Sequence, residues 1–125
     1  MRKTAWSWFS KYIRTRDCLK TTGTTEAGRC FTCGNYKPIE ELQAGHGIGG
    51  RTNGILFDEE IVYAQCIRCN NYLRGNYENF IPYLIRLYGI DWYEDKKLKS
   101  KKPVKIDYKE ESRKWREKYK ALKES

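Results

Sequence analysis

Residues 30–34 read CFTCG, residues 42–51 read LQAGHGIGGR and residues 65–70 read QCIRCN. Two Cys-x2-Cys pairs, Cys30/Cys33 and Cys66/Cys69, thus enclose the only histidine of the chain, His46, and Asn70 follows the second pair directly. Each pair has the spacing of a zinc knuckle, and two knuckles offer four thiolates to one tetrahedral Zn2+. Such a clip would tie together the ends of a segment that carries a lone imidazole in a glycine-rich turn.

With 125 residues the chain is of single-domain size, and 39% hydrophobic against 33% charged residues limits it to a modest core. Small domains of this kind often need a staple, and structural zinc is a common one. Five cysteines also admit disulfides. The opening MRKTAWSWFSKY has no apolar signal-peptide core, however, and no run approaches the ~18 apolar residues of a membrane span. The expected setting is a reducing cytoplasm, with zinc on the paired cysteines, Cys18 left as a free thiol and no membrane contact. The net charge of +9 is uneven: residues 1–37 carry +6, residues 38–95 carry −5 and residues 96–125 carry +8. Basic flanks around an acidic middle fit a site that grips phosphates at its edges and cations at its centre, although lysine-rich ends also serve solubility.

Along the chain, residues 4–16 read as a helix with Trp8 and Tyr12 on its apolar side and Trp6, Phe9 and Ile13 as further candidates. The threonine run at 21–25 reads as a loop, and residues 28–36 as the first knuckle. Pro38 opens a short helical turn. Residues 43–50 hold four glycines, which points to a strand running into a wide loop. Residues 55–57 and 61–63 read as short strand pieces around the acidic 58–60. The second knuckle should start a helix that ends at Gly75. Residues 77–88 form a clearer helix, with Phe80, Leu84, Leu87 and Tyr88 on one face and Gly89 as its stop. Trp92 and Tyr93 suggest one more turn, residues 96–105 a basic linker broken by Pro103, and residues 107–123 a last helix. Its stripe of Tyr108, Trp115, Tyr119 and Leu122 could dock on the domain or pair two copies in a homodimer. The division expected is a zinc-stapled domain over 1–95 and a basic linker with a C-terminal helix over 96–125.

A histidine on a strand beside a zinc-clipped helix has a specific use. Neutral imidazole can take a proton from water at pH 7, because its unperturbed pKa is about 6.5. A hard cation nearby would neutralise a phosphate and stabilise a leaving oxygen. Oxygen ligands suit such a cation, and Asn70 at the start of the helix is placed to supply one. Arg51, Arg68 and Arg74 are candidates to clamp phosphates, and Trp6 and Trp8 could stack on unpaired bases or belong to the core.

The run CFTCG, LQAGHGIGGR, FDEE and IVYAQCIRCNNYLRGN, preceded by WFSKYIRTRDC at 8–18, resembles the phage NinG (Rap) recombination endonucleases. These are a zinc-stapled branch of the HNH, or His-Me finger, nucleases, and the resemblance covers about residues 6–89. It implies an α+β fold with a small ββα-metal core, in which His46 is the general base, Asn70 a ligand of catalytic Mg2+ or Mn2+, and Cys30, Cys33, Cys66 and Cys69 hold structural Zn2+. It also implies branched DNA, such as Holliday junctions and D-loops, as substrate in phage recombination within the bacterial host. Two positions depart from the wider HNH pattern. Gly45 stands where a metal ligand often precedes the histidine, and Ile61 where an asparagine lies five residues before the third cysteine. Asp58 and Asn76 are the candidates to supply the missing ligand, Asp58 being the better by charge.

Two other functions compete. The fold could have lost catalysis and act as a zinc-containing module that only grips DNA, which the substitutions at Gly45 and Ile61 would favour. A thiol redox protein needs Cys-x2-Cys opening a helix beside a parallel sheet, and no βαβ pattern supports one.

Overall fold

The computed structural model describes residues 1–124. They form α1 (Arg2–Thr22), the hairpin β1 (Ala27–Arg29) and β2 (Tyr36–Pro38), a 3-10 turn (Ile39–Glu41), the hairpin β3 (Leu42–His46) and β4 (Val62–Cys66), one π-helical turn (Arg68–Tyr72), then α2 (Tyr77–Tyr88), α3 (Ile90–Ser100) and α4 (Tyr108–Glu124). The class is α+β, as expected, with two separate two-stranded antiparallel sheets. In the second, Leu42 faces Cys66 and His46 faces Val62, so the histidine ends the strand whose start lies opposite the second knuckle.

α1 braces the molecule. It runs beyond the expected residue 16, through the threonines to Thr22, because Thr21 and Thr22 return their hydroxyls to the carbonyls four residues back (2.7 and 2.9 Å). Gly23 then stops it in the left-handed region, φ 80°. Ala5, Phe9, Ile13 and Cys18 are its fully buried residues, while Trp8 and Tyr12, expected to lead the apolar side, are only partly covered. Its last turns clamp β4 through polar groups. Asp17 Oδ2 accepts from the Ala64 N–H at 2.7 Å, Arg16 pairs with Asp17 at 2.8 Å, and the Arg16 guanidinium donates to the carbonyls of Glu59 and Val62, both at 2.8 Å.

Four further expectations are corrected. The helix expected from the second knuckle to Gly75 is only a π-helical turn over Arg68–Tyr72. Residues 55–57 are not a strand: Ile55 N–H donates to the Thr52 carbonyl and Asp58 N–H to the Ile55 carbonyl, successive turns that bury Ile55 and Leu56 completely. An apolar run of three is too short to distinguish strand from buried turn. Residues 96–100 are not linker but the second half of α3, so the boundary drawn at 95/96 falls inside a helix. Finally, on α2 only Phe80 and Leu84 are buried, whereas Leu87 and Tyr88 stay largely exposed. α2 otherwise has the expected bounds, and Gly47 lets it close on the glycine-rich loop, since a Cβ there would overlap Phe80 and Leu84.

The aromatic stripe of α4 docks within the chain: Trp115 is buried against Phe9, with ring centroids 4.7 Å apart, and against Tyr12 at 5.2 Å. Trp115→Ala should therefore lower unfolding stability by about 3–5 kcal/mol in urea denaturation. A loss below about 1 kcal/mol would mean that α4 is not part of the cooperative unit.

Candidate active site and metal cluster

The four knuckle cysteines converge. Cys30 and Cys33 lie in the β1–β2 connection, Cys66 ends β4 and Cys69 sits in the π-helical turn, and their four sulfurs lie within 4.8 Å of one another. Cys33 Sγ and Cys66 Sγ are 3.8 Å apart, too far for a disulfide. A tetrahedron with metal–sulfur bonds of about 2.3 Å has edges of about 3.8 Å, so the cluster could hold a metal ion such as zinc. None of the five cysteines forms a disulfide. Burial alone would raise the Cys30 thiol, yet the Thr32 hydroxyl and backbone hydrogen bonds at Cys66, Cys33 and Thr32 bring it down to about 6. Cys18 is apart from this group, fully buried beside Leu42 and Ala64, and burial first, then Asp17, pushes its thiol up to about 11.

His46 and Asn70 line one open cleft of about 720 Å³ between α1, β3 and the π-helical turn. The His46 ring is buried, stacked on Trp6 at 5.4 Å with 16° between the planes. Its Nε2 lies 3.1 Å from the Leu56 carbonyl. A carbonyl only accepts, so Nε2 carries the proton and Nδ1 keeps the lone pair. Burial lowers the imidazole from 6.5 to about 4, against the pull of the Leu56 carbonyl, and Arg51 lowers it further. The ring is therefore neutral at pH 7. The loop that presents Leu56 is itself held by α3: Thr52 Oγ1 donates to the Ser100 carbonyl at 2.5 Å and Lys96 pairs with Asp58 at 2.7 Å.

The remaining predicted residues separate into those the cleft gathers and those it does not. Arg51 and Arg74 line it, Arg51 with its guanidinium 4.4 Å over Trp6. Arg68 does not; it lies by Cys66, Lys37 and Glu41 on another surface. Asp58 is tied to Lys96 and, at 3.6 Å, to Lys99, and is not part of the cleft wall. Asn76 caps the start of α2 in the left-handed region, φ 50°, and turns its Nδ2 to Cys69 Sγ at 3.6 Å, serving the cysteine cluster. Ile61 is fully buried in the core. Trp8 packs beside Tyr119 on α4.

Sequence reading missed Ser10 and Arg14, which join Trp6 in the cleft wall. Their spacing of four along α1 was the available signal. It also missed Gln65, whose Oε1 is buried without a hydrogen-bond partner. Leaving a carbonyl oxygen so costs about 1–3 kcal/mol.

What these features define is an α+β protein with a metal-type four-cysteine cluster beside a basic cleft. The chain belongs to the family described as Bacteriophage Lambda NinG protein, whose pattern it matches over residues 1–125. No curated protein and no solved structure gives a significant match. Among the described residues no helix is long and apolar enough to cross a membrane.

The His46 shift carries a pH dependence. Its folded value lies below its unfolded one, so the unfolded chain binds the extra proton; the ring's contribution is complete above about pH 6.5 and is lost as pH falls towards 4. The difference in unfolding free energy between wild type and His46→Gln should shrink by about 2–3 kcal/mol between pH 7 and pH 4.5. A difference that does not change with pH would contradict this burial.

Proposed function

We propose that the protein is a metal-dependent DNA endonuclease that cuts branched recombination intermediates, four-way junctions and D-loops, during phage recombination in the bacterial host. The observation that carries the proposal is His46, neutral at pH 7 with Nε2 committed to a backbone carbonyl, on the same arginine-lined cleft as Asn70. An imidazole held in this tautomer offers one lone pair, on Nδ1, to a proton. The β3–β4 hairpin followed by the turn that carries Asn70 supports a ββα-metal reading, with the cysteine cluster as a structural zinc site.

In this reading Nδ1 of His46 would take a proton from a water molecule, the hydroxide would attack phosphorus, and the bond to the 3′ oxygen would break. The leaving alkoxide would take a proton from water, and His46 would later return its own to solvent. The negative phosphodiester beside the ring favours an imidazolium, which raises the basicity of His46 as the substrate settles. Trp6 fixes the ring plane by stacking. Asn70 Nδ2 donates to Gln43 Oε1 at 2.8 Å, which orients the amide and leaves Oδ1 as the oxygen to hold a cation. Mg2+ or Mn2+ bound there would stabilise the charge that develops on the phosphate and the leaving oxygen. Arg14, Arg51 and Arg74 line the cleft and would clamp phosphates; with no recognition helix evident in the sequence, shape rather than base sequence would set specificity. Two copies acting on opposite strands would produce paired nicks.

One observation favours a second reading, a module that binds branched DNA without cutting it: the cleft wall has three arginines and no carboxylate. A labelled four-way junction and a linear duplex separate the two. Wild type should nick the junction in Mg2+ or Mn2+ but not in chelator. His46→Ala should cut about 10²–10⁴-fold more slowly while binding the junction nearly unchanged. Tight binding by wild type with no cleavage in either metal would establish the binding module instead.

A further inference from the structure

The residue before His46 is Gly45, and a side chain there would have no room. A Cβ built on Gly45 overlaps Gln65 Oε1 and stands 3.0 Å from Asn70 Oδ1. Two amide oxygens from different elements, β4 and the π-helical turn, therefore converge on the point above Gly45. The orientation of each amide is set by its nitrogen. Gln65 Nε2 donates to the Gly75 carbonyl at 2.8 Å and to Thr32 Oγ1 at 3.1 Å. The Gly75 carbonyl can only accept, so the nitrogen belongs on that side and the oxygen must face Gly45. Asn70 Nδ2 is likewise occupied by Gln43. Gln65 is fully buried, and its Oε1 is the one buried side-chain oxygen or nitrogen among the described residues with no hydrogen-bond partner.

Burying a carbonyl oxygen without a donor is unfavourable, and a second oxygen aimed at the same point adds repulsion. A cation removes both costs. Amide carbonyls are hard oxygen donors of the kind that Mg2+, Mn2+ and Ca2+ accept. We propose that Gln65 Oε1 and Asn70 Oδ1 form an all-amide site for a hard divalent cation over Gly45, completed by phosphate oxygens of the nucleic acid. The inference rests on the nuclease reading and adds to it the ligand that Gly45 does not supply. Gln65 reaches across the hairpin from β4 into the space that a longer residue 45 would have filled.

The site has a distinctive property. Both protein ligands are neutral; Asn70 lines the cleft with Arg14, Arg51 and Arg74, and Gln65 Oε1 lies buried next to it behind the cleft wall. A cation should bind weakly to the free protein and much better once a polyanion offsets those charges and adds its own oxygens. Asp58 and Asn76 have no part in it: the first is paired with Lys96 and the second is bonded to Cys69 and Asn79.

Paramagnetic broadening tests this without any activity readout. Mn2+ is titrated into isotope-labelled, zinc-loaded full chain, first alone and then with a short phosphorothioate duplex. The side-chain NH2 signals of Gln65 and Asn70 and the backbone amide of Gly45 should broaden first, at a Mn2+ concentration at least tenfold lower when DNA is present. Gln65→Leu should raise the Mn2+ needed to broaden Asn70 at least tenfold, with zinc content unchanged. If Gln65→Leu loses zinc or does not fold, Gly45→Ala replaces it, because its methyl would occupy the position of Gln65 Oε1 and force that oxygen out of the site, which should give the same weakening. Broadening centred on Glu59, Glu60 or Asn76 with Gln65 untouched overturns the site, and so does undiminished Mn2+ binding in a folded variant. If wild type nicks junctions while Gln65 is not broadened, the nuclease reading stands and this inference fails. Broadening at Gln65 and Asn70 in a protein that does not cut leaves the converse.

Discussion

The four-thiol cluster is the constraint on which the rest of the structure depends. It joins three pieces from different parts of the chain: a hairpin with strands of three residues, the end of β4, and a single π-helical turn. None of these would be stable alone, since isolated hairpins and single helical turns are marginal in water. Metal bound to such a cluster contributes its binding free energy directly to folding. Because Asn70 is the residue after Cys69, its place opposite His46 follows from where the cluster fixes that turn. Thr32, Asn76 and Gln65 extend the same framework, the first two touching cysteine sulfurs and the third tying Thr32 to Gly75.

The second support is α1, which turns one side to the core and another to the cleft. Phe9 and Ile13 pack inward while Trp6, Ser10 and Arg14 face the cavity, and Trp6 contacts both the His46 ring and the Arg51 guanidinium. The histidine is thus held from two sides, by stacking on α1 and by the Leu56 carbonyl from a loop that α3 secures. α4 contributes from further away, burying Trp115 against the same helix. A modest hydrophobic core suffices because the rigidity of the site comes from these directed contacts.

What the sequence made legible was local. Cys-x2-Cys spacing survives any rearrangement elsewhere, so the cluster and the neighbouring Asn70 could be read directly, as could the strand that delivers His46 before a run of glycines. α2 was legible because its apolar period and Gly89 agree. The losses have physical reasons. Residues 96–100 look like linker because lysines dominate them, yet Tyr93 and Ser100 are buried and hold α3 in place. Residues 55–57 look like a strand because they are apolar, although no strand is available to pair with them. Gln65 carries no signal by itself: its meaning comes from Gly45 on the facing strand, a relation that only the register of the hairpin reveals.

A general base at His46 must be free of the structural metal, since a histidine coordinated to zinc could not take up a proton. Zinc K-edge X-ray absorption on the purified protein examines that requirement directly. One zinc per chain surrounded by four sulfurs at about 2.3 Å, with no imidazole scattering, is the predicted result. A shell of three sulfurs and one imidazole nitrogen would place His46 on the metal and contradict the account.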